Sequence, residues 1–305
     1  MESNFGRHLT LGVEEELMLV DPETLELAPG VERLLGPEGL KTELFSCLVE
    51  TNTPVCETAF EAHAELVRLR RIVAERAARE ALVVAASGSH PFSIPEEQAI
   101  VDEPRYSEMV EELGPIAKGQ LVCGLHVHVG MESFDACLRA LAGIRPWLPA
   151  VLGLSANSPF LAGEETGALS SRLARLRRLP RAGSPPQLGT VAEWEAEVAA
   201  AGVDYTRIWW DARPHPRLGT LEVRIADQAT SVDRAAAVVA LVQALCAAPP
   251  ETGADLLDAI EPAARELGTW GLVETLREPP EALRQLEVGR REGLKAVAAD
   301  LVARS

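Results

Sequence analysis

The chain has 305 residues, 47% of them hydrophobic and 25% charged, with a formal net charge of −17. These proportions are those of ordinary folded domains and exclude bulk disorder, and a chain this long buries enough surface to fold without disulfide staples. The excess of 46 acidic over 29 basic side chains excludes a protein that wraps nucleic acid, which needs a basic footprint, but suits one that holds divalent cations where the acids converge.

Residues 1–10 contain no apolar run, so no secretory signal is expected. No stretch reaches the ~18 uninterrupted apolar residues of a spanning helix, so no membrane partner is expected either, and the chain reads as cytoplasmic. Residues 10–21 alternate between apolar and polar and end on the turn signal Asp21-Pro22, which predicts a strand. Residues 43–52 form a second candidate strand. Residues 57–82 carry Leu66, Leu69, Val73 and Ala77 on one stripe, which predicts a helix. A short strand follows at 82–86, closed by Ser87-Gly88-Ser89, then a short helix at 104–113 and a strand at 120–129. Residues 134–154 read as a helix broken at Pro146 and Pro149, and 157–167 and 181–189 as loops.

An acidic helix is expected at 191–201, and a strand pair at 208–211 and 220–227 around the turn-rich 214–219. Residues 231–247 read as a buried helix capped by Ser231. Residues 253–305 read as amphipathic helices broken at Pro279-Pro280. The elements show no regular βαβ beat, which predicts an α+β protein with an antiparallel sheet, folded as one domain over residues 1–305. The five cysteines are widely spaced without a CxxC and read as reduced, buried thiols. No phosphate-binding GxxxxGK[ST], HExxH or GxSxG is present.

Strand parity is the informative signal, because successive side chains point to opposite faces. In the first strand Leu11, Val13, Leu17 and Leu19 oppose Glu14 and Glu16; in the second, Phe45, Cys47, Val49 and Thr51 oppose Glu50 and Asn52. In 120–129 five apolar residues oppose His126 and His128, and in 220–227 Leu221, Val223 and Ile225 oppose Glu222 and Arg224. Four strands thus offer one apolar face and one polar face. If they are neighbours, their carboxylates repel unless cations neutralise them. Oxygen-rich ligand sets with one imidazole suit Mg²⁺ or Mn²⁺.

Each element has a plainer alternative. E-x-E can be a solvated sheet face, H-x-H a zinc pair lacking a third ligand, and E-x-R a simple ion pair. Glu15 breaks the parity by falling on the apolar face. Carboxylate-bound metals commonly serve phosphates, and Arg172, Arg213, Arg217 and Arg224 are candidates to clamp phosphate oxygens. Arg172 ends the segment TGALSSR, which reads equally as the start of a helix. Asn157 in SANSPFLAG is placed to position substrate, or else to close a helix and turn.

The segments GVEEELMLVDPETLEL, LVETNTPVCET, CGLHVHVGM, LSANSPFLAGEETGALSSR and IWWDARPHPRLGTLEVRIADQATSVDRAAAVVALVQAL resemble the type 2 glutamate–cysteine ligase family, the YbdK-like carboxylate–amine ligases. The resemblance runs from about residue 9 to 245 with every block in order. It implies a glutamine synthetase-like catalytic fold, with a curved, mainly antiparallel sheet and helices on its convex face. It also implies ATP-dependent joining of a carboxylate to an amine through an acyl phosphate, with weak glutamate–cysteine ligase activity as the default. On the matching positions it makes Glu14, Glu16, Glu43, Glu50, His126 and Glu222 metal ligands. Arg224 would face the transferred phosphoryl group, Asn52 and Thr53 would line the amino-acid pocket, and His128 or a carboxylate would take the amine's proton. ATP and Mg²⁺ (or Mn²⁺) are the expected cofactors, an amino-acid-like acid and an amine the expected substrates, and a homodimer the simplest oligomer.

After Leu245 the sequence CAAPPETGADLLDAIEPAARELG departs from the Asn/Trp/Arg-rich continuation usual in the family, so residues 246–305 read as a divergent helical tail. That departure supports an alternative, a catalytically impaired nucleotide- or metal-binding regulatory homologue. A metal-dependent hydrolase using His126 and His128 is the third reading. For the ligase, Glu222→Gln is expected to stop turnover with little effect on the fold.

Overall fold

The strand β1 (Leu11–Val20) is hydrogen-bonded on both sides and forms the middle of the sheet. The computed structural model describes residues 3–305; Met1 and Glu2, the start of the stretch considered for a leader, lie outside the described residues. The remaining strands are β2 (Leu40–Thr42), β3 (Leu48–Asn52), β4 (Val83–Ala85), β5 (Leu125–Gly130), a small pair β6 (Phe160–Leu161) and β7 (Glu164–Glu165), β8 (Ala212–His215) and β9 (Thr220–Val223). The main sheet runs β2-β3-β1-β5-β9-β8, with β4 paired to the far end of β1, and every pairing is antiparallel. This is the expected α+β architecture.

One face of the sheet is apolar along β1, β5 and β9. Leu11, Val13, Leu125, Val127, Val129, Leu221 and Val223 share a buried core with the helices Ala59–Arg79, Phe134–Ile144 and Val232–Ala247. Each such side chain contributes roughly 1.5–3 kcal/mol on burial. The helices start where their caps predict: Thr58 accepts from the Glu61 N–H and Ser231 from the Arg234 N–H. The run Phe134–Ser155 is long and apolar enough to cross a membrane by length and composition. It is nevertheless broken at Arg145–Trp147, and Cys137, Leu138, Leu141, Ile144 and Val151 are buried in the core.

Three strands are shorter than their patterns suggest, each for a local reason. The segment expected as a strand over 43–52 enters the ladder only at Leu48, because residues 43–47 turn to bring β3 alongside β2. The one expected over 120–129 begins at Leu125, because the Gly124 N–H is diverted to Glu16 Oε2 at 2.5 Å. The strand expected over 220–227 ends at Val223. Between the Val127–Val223 pair and the Gly124–Asp227 bridge the later strand carries one residue more than its partner, a bulge that interrupts the ladder. Its partner is Ala212–His215 rather than 208–211. Pro214 is accommodated there because β8 lies at the sheet edge, where a missing N–H costs no ladder bond.

Glu15, the residue that broke the parity, is fully buried beneath the polar face and held by Arg70 of the long helix. Arg70 Nη2 donates to Glu15 Oε1 at 2.6 Å and to the Ala229 carbonyl at 2.9 Å, and Gln228 Nε2 donates to the same carboxylate at 2.7 Å. The tail packs into this frame. Glu281 accepts from the Thr230 and Ser231 N–H groups, and Gln285 donates to Ser87 Oγ and Asn157 Oδ1. Arg70→Met strands a buried carboxylate, so it is expected to lower unfolding free energy by ~3–5 kcal/mol in denaturant titrations, whereas the double variant with Glu15→Leu loses less than the sum of the singles.

Candidate active site

The register places the polar residues in three rows across the sheet. Asn52, Glu14 and His126 are direct neighbours on β3, β1 and β5. Gly12, His128, Glu222 and Arg213 form a row from β1 to β8. Lys41, Glu50 and Glu16 form a third from β2 to β1. Arg224, the residue after β9, lies two positions from Glu222 on the same face and donates to Glu222 Oε1. The expectation of one polar face shared by distant segments holds.

Two groups of side chains on this face bring ligand atoms within 4.8 Å of one another: Glu14 with His126 and Glu222, and Glu16 with Glu43 and Glu50. Their electrostatics differ. Burial opposes the charge on Glu222, but Arg213 Nε at 2.7 Å and Arg224 hold its carboxyl well below the usual range. Burial likewise opposes the charge on Glu14, but a hydrogen bond with His126 (Nδ1, 3.3 Å) and the close approach of His128 (Nε2, 3.5 Å) pull it far down. His126 Nε2 faces Arg172 Nη2 at 3.4 Å; because a guanidinium only donates, the imidazole proton sits on Nδ1, toward Glu14.

The second group lacks such partners. Burial, then the neighbouring carboxylates Glu16 and Glu50, push Glu43 up to about 8. Burial pushes Glu16 up to about 7 against the pull of Arg172 and the Gly124 N–H. Burial and Glu14 also raise Glu50, although Asn52 Nδ2 donates to it at 2.6 Å. Three crowded carboxylates that resist ionisation are a donor set for a hard divalent cation, and Glu14, His126 and Glu222 make a second, mixed set. The residues present therefore fit Mg²⁺ or Mn²⁺.

Two cavities flank the face. The first, about 450 Å³, is bordered by Glu16, Glu43, Glu50, His126, Arg172 and Arg224, and on its outer side by Tyr106, Met109, Leu176, Leu179, Arg207 and Trp209. The second, about 500 Å³, is bordered by Glu14, His128, Asn52, Thr53, Thr10, Arg7 and Arg217.

Not every expected residue lies where its role requires. Arg213 spends its donors on Glu222 and on the Thr206 and Ile208 carbonyls and borders neither cavity, so the structure places it as a clamp on Glu222 rather than where a phosphate in either cavity would meet it. Arg217 is 55% exposed, paired with Asp204, and lies on the rim of the second cavity. Asn157 is fully buried, with its side chain bonded to Gln228, Thr230 and Gln285, so it braces the frame and borders neither of these cavities. Arg172 is both the start of the helix Ser171–Leu176 and a wall of the first cavity, donating to the Ile225 and Arg224 carbonyls. A Cβ at Gly124 would lie 2.1 Å from Arg172 Nη2 and 2.8 Å from His126 Nε2, so glycine is required for this approach. Sequence reasoning missed Lys41, Arg7, Arg207 and Trp209. Lys41 carried no signal of its own, because its place opposite Glu50 is set by the pairing of two strands.

The raised carboxylates set a pH dependence. Between the ordinary carboxylate range and pH ~8 the folded state binds more protons than the unfolded state, so metal-free stability falls as pH rises through this window. A melting series from pH 7 to 8.5, above the range in which the depressed histidines His90, His126 and His215 act in the opposite sense, should show that fall. Mg²⁺ should raise the midpoint more at pH 8.5 than at pH 5.5, where protons compete for the same oxygens; an equal increment at both would disconnect cation binding from these groups.

Comparison with known proteins bears on the whole of this architecture. The family model for glutamate–cysteine ligase family 2 matches residues 10–300, extending past Leu245 through most of the helical tail. A Herpetosiphon aurantiacus protein provisionally named glutamate–cysteine ligase 2 is 40% identical over 247 residues, covering 77% of this chain and 64% of its own length. A Rubrobacter xylanophilus relative, provisionally named glutamate–cysteine ligase 2-3, is 40% identical over 265 residues, with 82% and 73% covered. The chain thus spans about two thirds of the relatives it matches. Among solved structures, the glutamate–cysteine ligase of Francisella tularensis in complex with AMP superposes with a TM-score of 0.62 at 14% identity, covering 99% of this chain and 89% of that one. The bifunctional glutathione synthetase of Pasteurella multocida superposes with a TM-score of 0.55 at 14% identity, covering 97% and 49%. These two likenesses speak for the shared ligase fold, and the match over residues 10–300 places the chain in glutamate–cysteine ligase family 2.

Proposed function

We propose that this chain is an ATP-dependent carboxylate–amine ligase that forms a γ-glutamyl-type amide through an acyl phosphate. The observation that carries the reading is the pair of ligand groups on one sheet face, with a cavity on either side of them. Glu16, Glu43 and Glu50 would hold one divalent cation, and Glu14, His126 and Glu222 another. When bound, the cations neutralise phosphate charge and draw the anionic reactants together.

The first cavity suits the nucleotide. Its outer wall of Tyr106, Met109, Leu176, Leu179 and Trp209 can cover a base, while Arg172 and Arg224 sit on the phosphate side. The second suits the acid and the amine. Thr10, Thr53 and Asn52 offer hydrogen bonds, and Arg7 and Arg217 offer charge to a second carboxylate. A carboxylate oxygen attacks the γ-phosphorus, and the bond to the bridging oxygen breaks as ADP leaves with the electron pair. The amine nitrogen then attacks the carbonyl carbon, phosphate leaves, and His128 at the cavity wall takes the amine's proton.

The divergent tail does not count against turnover, because no described residue beyond Arg224 borders either cavity. A screen of acid–amine pairs for ADP release with Mg·ATP, starting with L-glutamate and L-cysteine, tests the reading. Release that requires both partners supports it; Mg·ATP binding by calorimetry with no ADP formed from any pair favours a regulatory homologue, and turnover without ATP favours a hydrolase.

Two variants separate charge from fold. Glu43→Gln relieves the repulsion in the carboxylate group, so it should raise the metal-free melting midpoint at pH 8 while lowering turnover ~100-fold or more. Glu222→Gln should lose both, since it leaves the buried Arg213 and Arg224 without their counter-charge. The sequence alone suggests a variant that spares the fold; the buried pairing of Glu222 with two guanidinium groups argues otherwise.

A further inference from the structure

Lys41 stands where the two cavities meet. Among the described residues it is the one side chain that borders both. It lies on β2 opposite Glu50, with Nζ 2.8 Å from Asn52 Oδ1 and 3.6 Å from Glu50 Oε1. The first contact is a hydrogen bond and the second an ion pair too long to be one. An ammonium has three donors, so two N–H groups remain for a ligand, and the side chain is 55% exposed at the seam.

We propose that Lys41 is a catalytic residue whose ammonium contacts the substrate carboxylate as it meets the γ-phosphoryl of ATP. The proposal rests on the ligase reading and adds a residue to it. In that reading the nucleotide occupies the first cavity and the acid the second, so the two anions react at the seam. The carboxylates of the sheet face present cation ligands from below, and Arg172 and Arg224 border the first cavity alone. On the second cavity's side the other cationic side chains, Arg7 and Arg217, are given in that reading to the acid's second carboxylate, so Lys41 is the side-chain cation placed at the seam for the reacting one. As the new oxygen–phosphorus bond forms and the bond to ADP breaks, no proton moves; Lys41 stays an ammonium and hydrogen-bonds the acyl phosphate.

The residue type fits. The chain has three lysines, Lys41, Lys118 and Lys295, against 26 arginines. The other clamps on this face are guanidinium groups fixed by several bonds, whereas an ammonium on a flexible stem can follow a group that moves between cavities.

The scarcity of lysine also makes a direct experiment practical. The full-length protein is treated with an amine-acetylating reagent, with and without Mg·ADP plus L-glutamate, and modification is read by mass spectrometry. Lys41 should be protected by the ligands while Lys118 and Lys295 react unchanged; equal modification of Lys41 in both conditions overturns the proposal. In parallel, Lys41→Met is assayed with Mg·ATP and the acid–amine pair of highest turnover in the screen above. It should lower kcat about 100-fold while leaving ADP affinity and the melting midpoint as in the wild type, with Lys41→Arg recovering about tenfold or more of the loss. A Lys41→Met kcat within about threefold of wild type, or a loss matched by weaker ADP binding or a lower midpoint, overturns the catalytic role. Wild-type turnover with an unaffected Lys41→Met contradicts this proposal alone; a wild type that binds Mg·ADP but releases no ADP with any acid contradicts the ligase reading and this proposal together.

Discussion

Mutual repulsion among carboxylates on one sheet face is the constraint around which the rest of the structure is arranged. Glu14 and Glu16 stand on β1, Glu50 on the adjacent β3 and Glu222 on β9 beyond β5, and Glu43 reaches the same face from the turn before β3. Cross-strand neighbours lie ~5 Å apart, and the helices behind the sheet keep water from one side, so the charges cannot be left to solvent. The protein meets half of this cost itself. Arg213, Arg224, His126 and His128 stabilise Glu222 and Glu14 in their charged forms. It leaves the other half unmet, in Glu16, Glu43 and Glu50, whose proton affinities rise instead. A face divided in this way has one part already organised and one part that gains most from a cation.

Holding such a face in register requires an equally specific layer beneath it. The Glu15–Arg70 pair ties β1 to the long helix directly under Glu14 and Glu16, and Arg70 also gathers the carbonyls of Ala229 and Thr230. Asp227 accepts from the Asn157 N–H and from the Ser158 and Ser170 hydroxyls, which fixes the start of the helix that carries Arg172. The tail completes this layer through Glu281 and Gln285. Residues that look like surplus polar groups in a core are thus the frame that sets the positions of Arg172, His126 and the carboxylates.

The fold and the centre of the site were legible for one physical reason: alternation in a strand has period two, so E-x-E, H-x-H and E-x-R each declare a shared face without knowledge of the partner strand. The helices at 59–79, 104–113, 191–201 and 232–247 were legible from apolar spacing, caps and breakers. What escaped depended on long-range pairing. Lys41 lies on a three-residue strand too short to show alternation, and its meaning comes from standing opposite Glu50. Arg213 and Asn157 are residue types that bind phosphate or substrate as readily as they brace a frame, and their partners, Glu222, Gln228 and Gln285, are distant or ambiguous in sequence. The bulge that ends β9 at Val223 has no marker in the run VRIADQ.

The central claim is that this face is a cation site built by convergence of distant strands. Anomalous scattering from crystals grown with Mn²⁺ and ADP tests it most directly. The account predicts manganese peaks ~2.2 Å from carboxylate oxygens of Glu16, Glu43 and Glu50 and of Glu14 and Glu222, with His126 nitrogen in the second set. Ordered ADP with no manganese on this face, or manganese bound only by other residues, would contradict it.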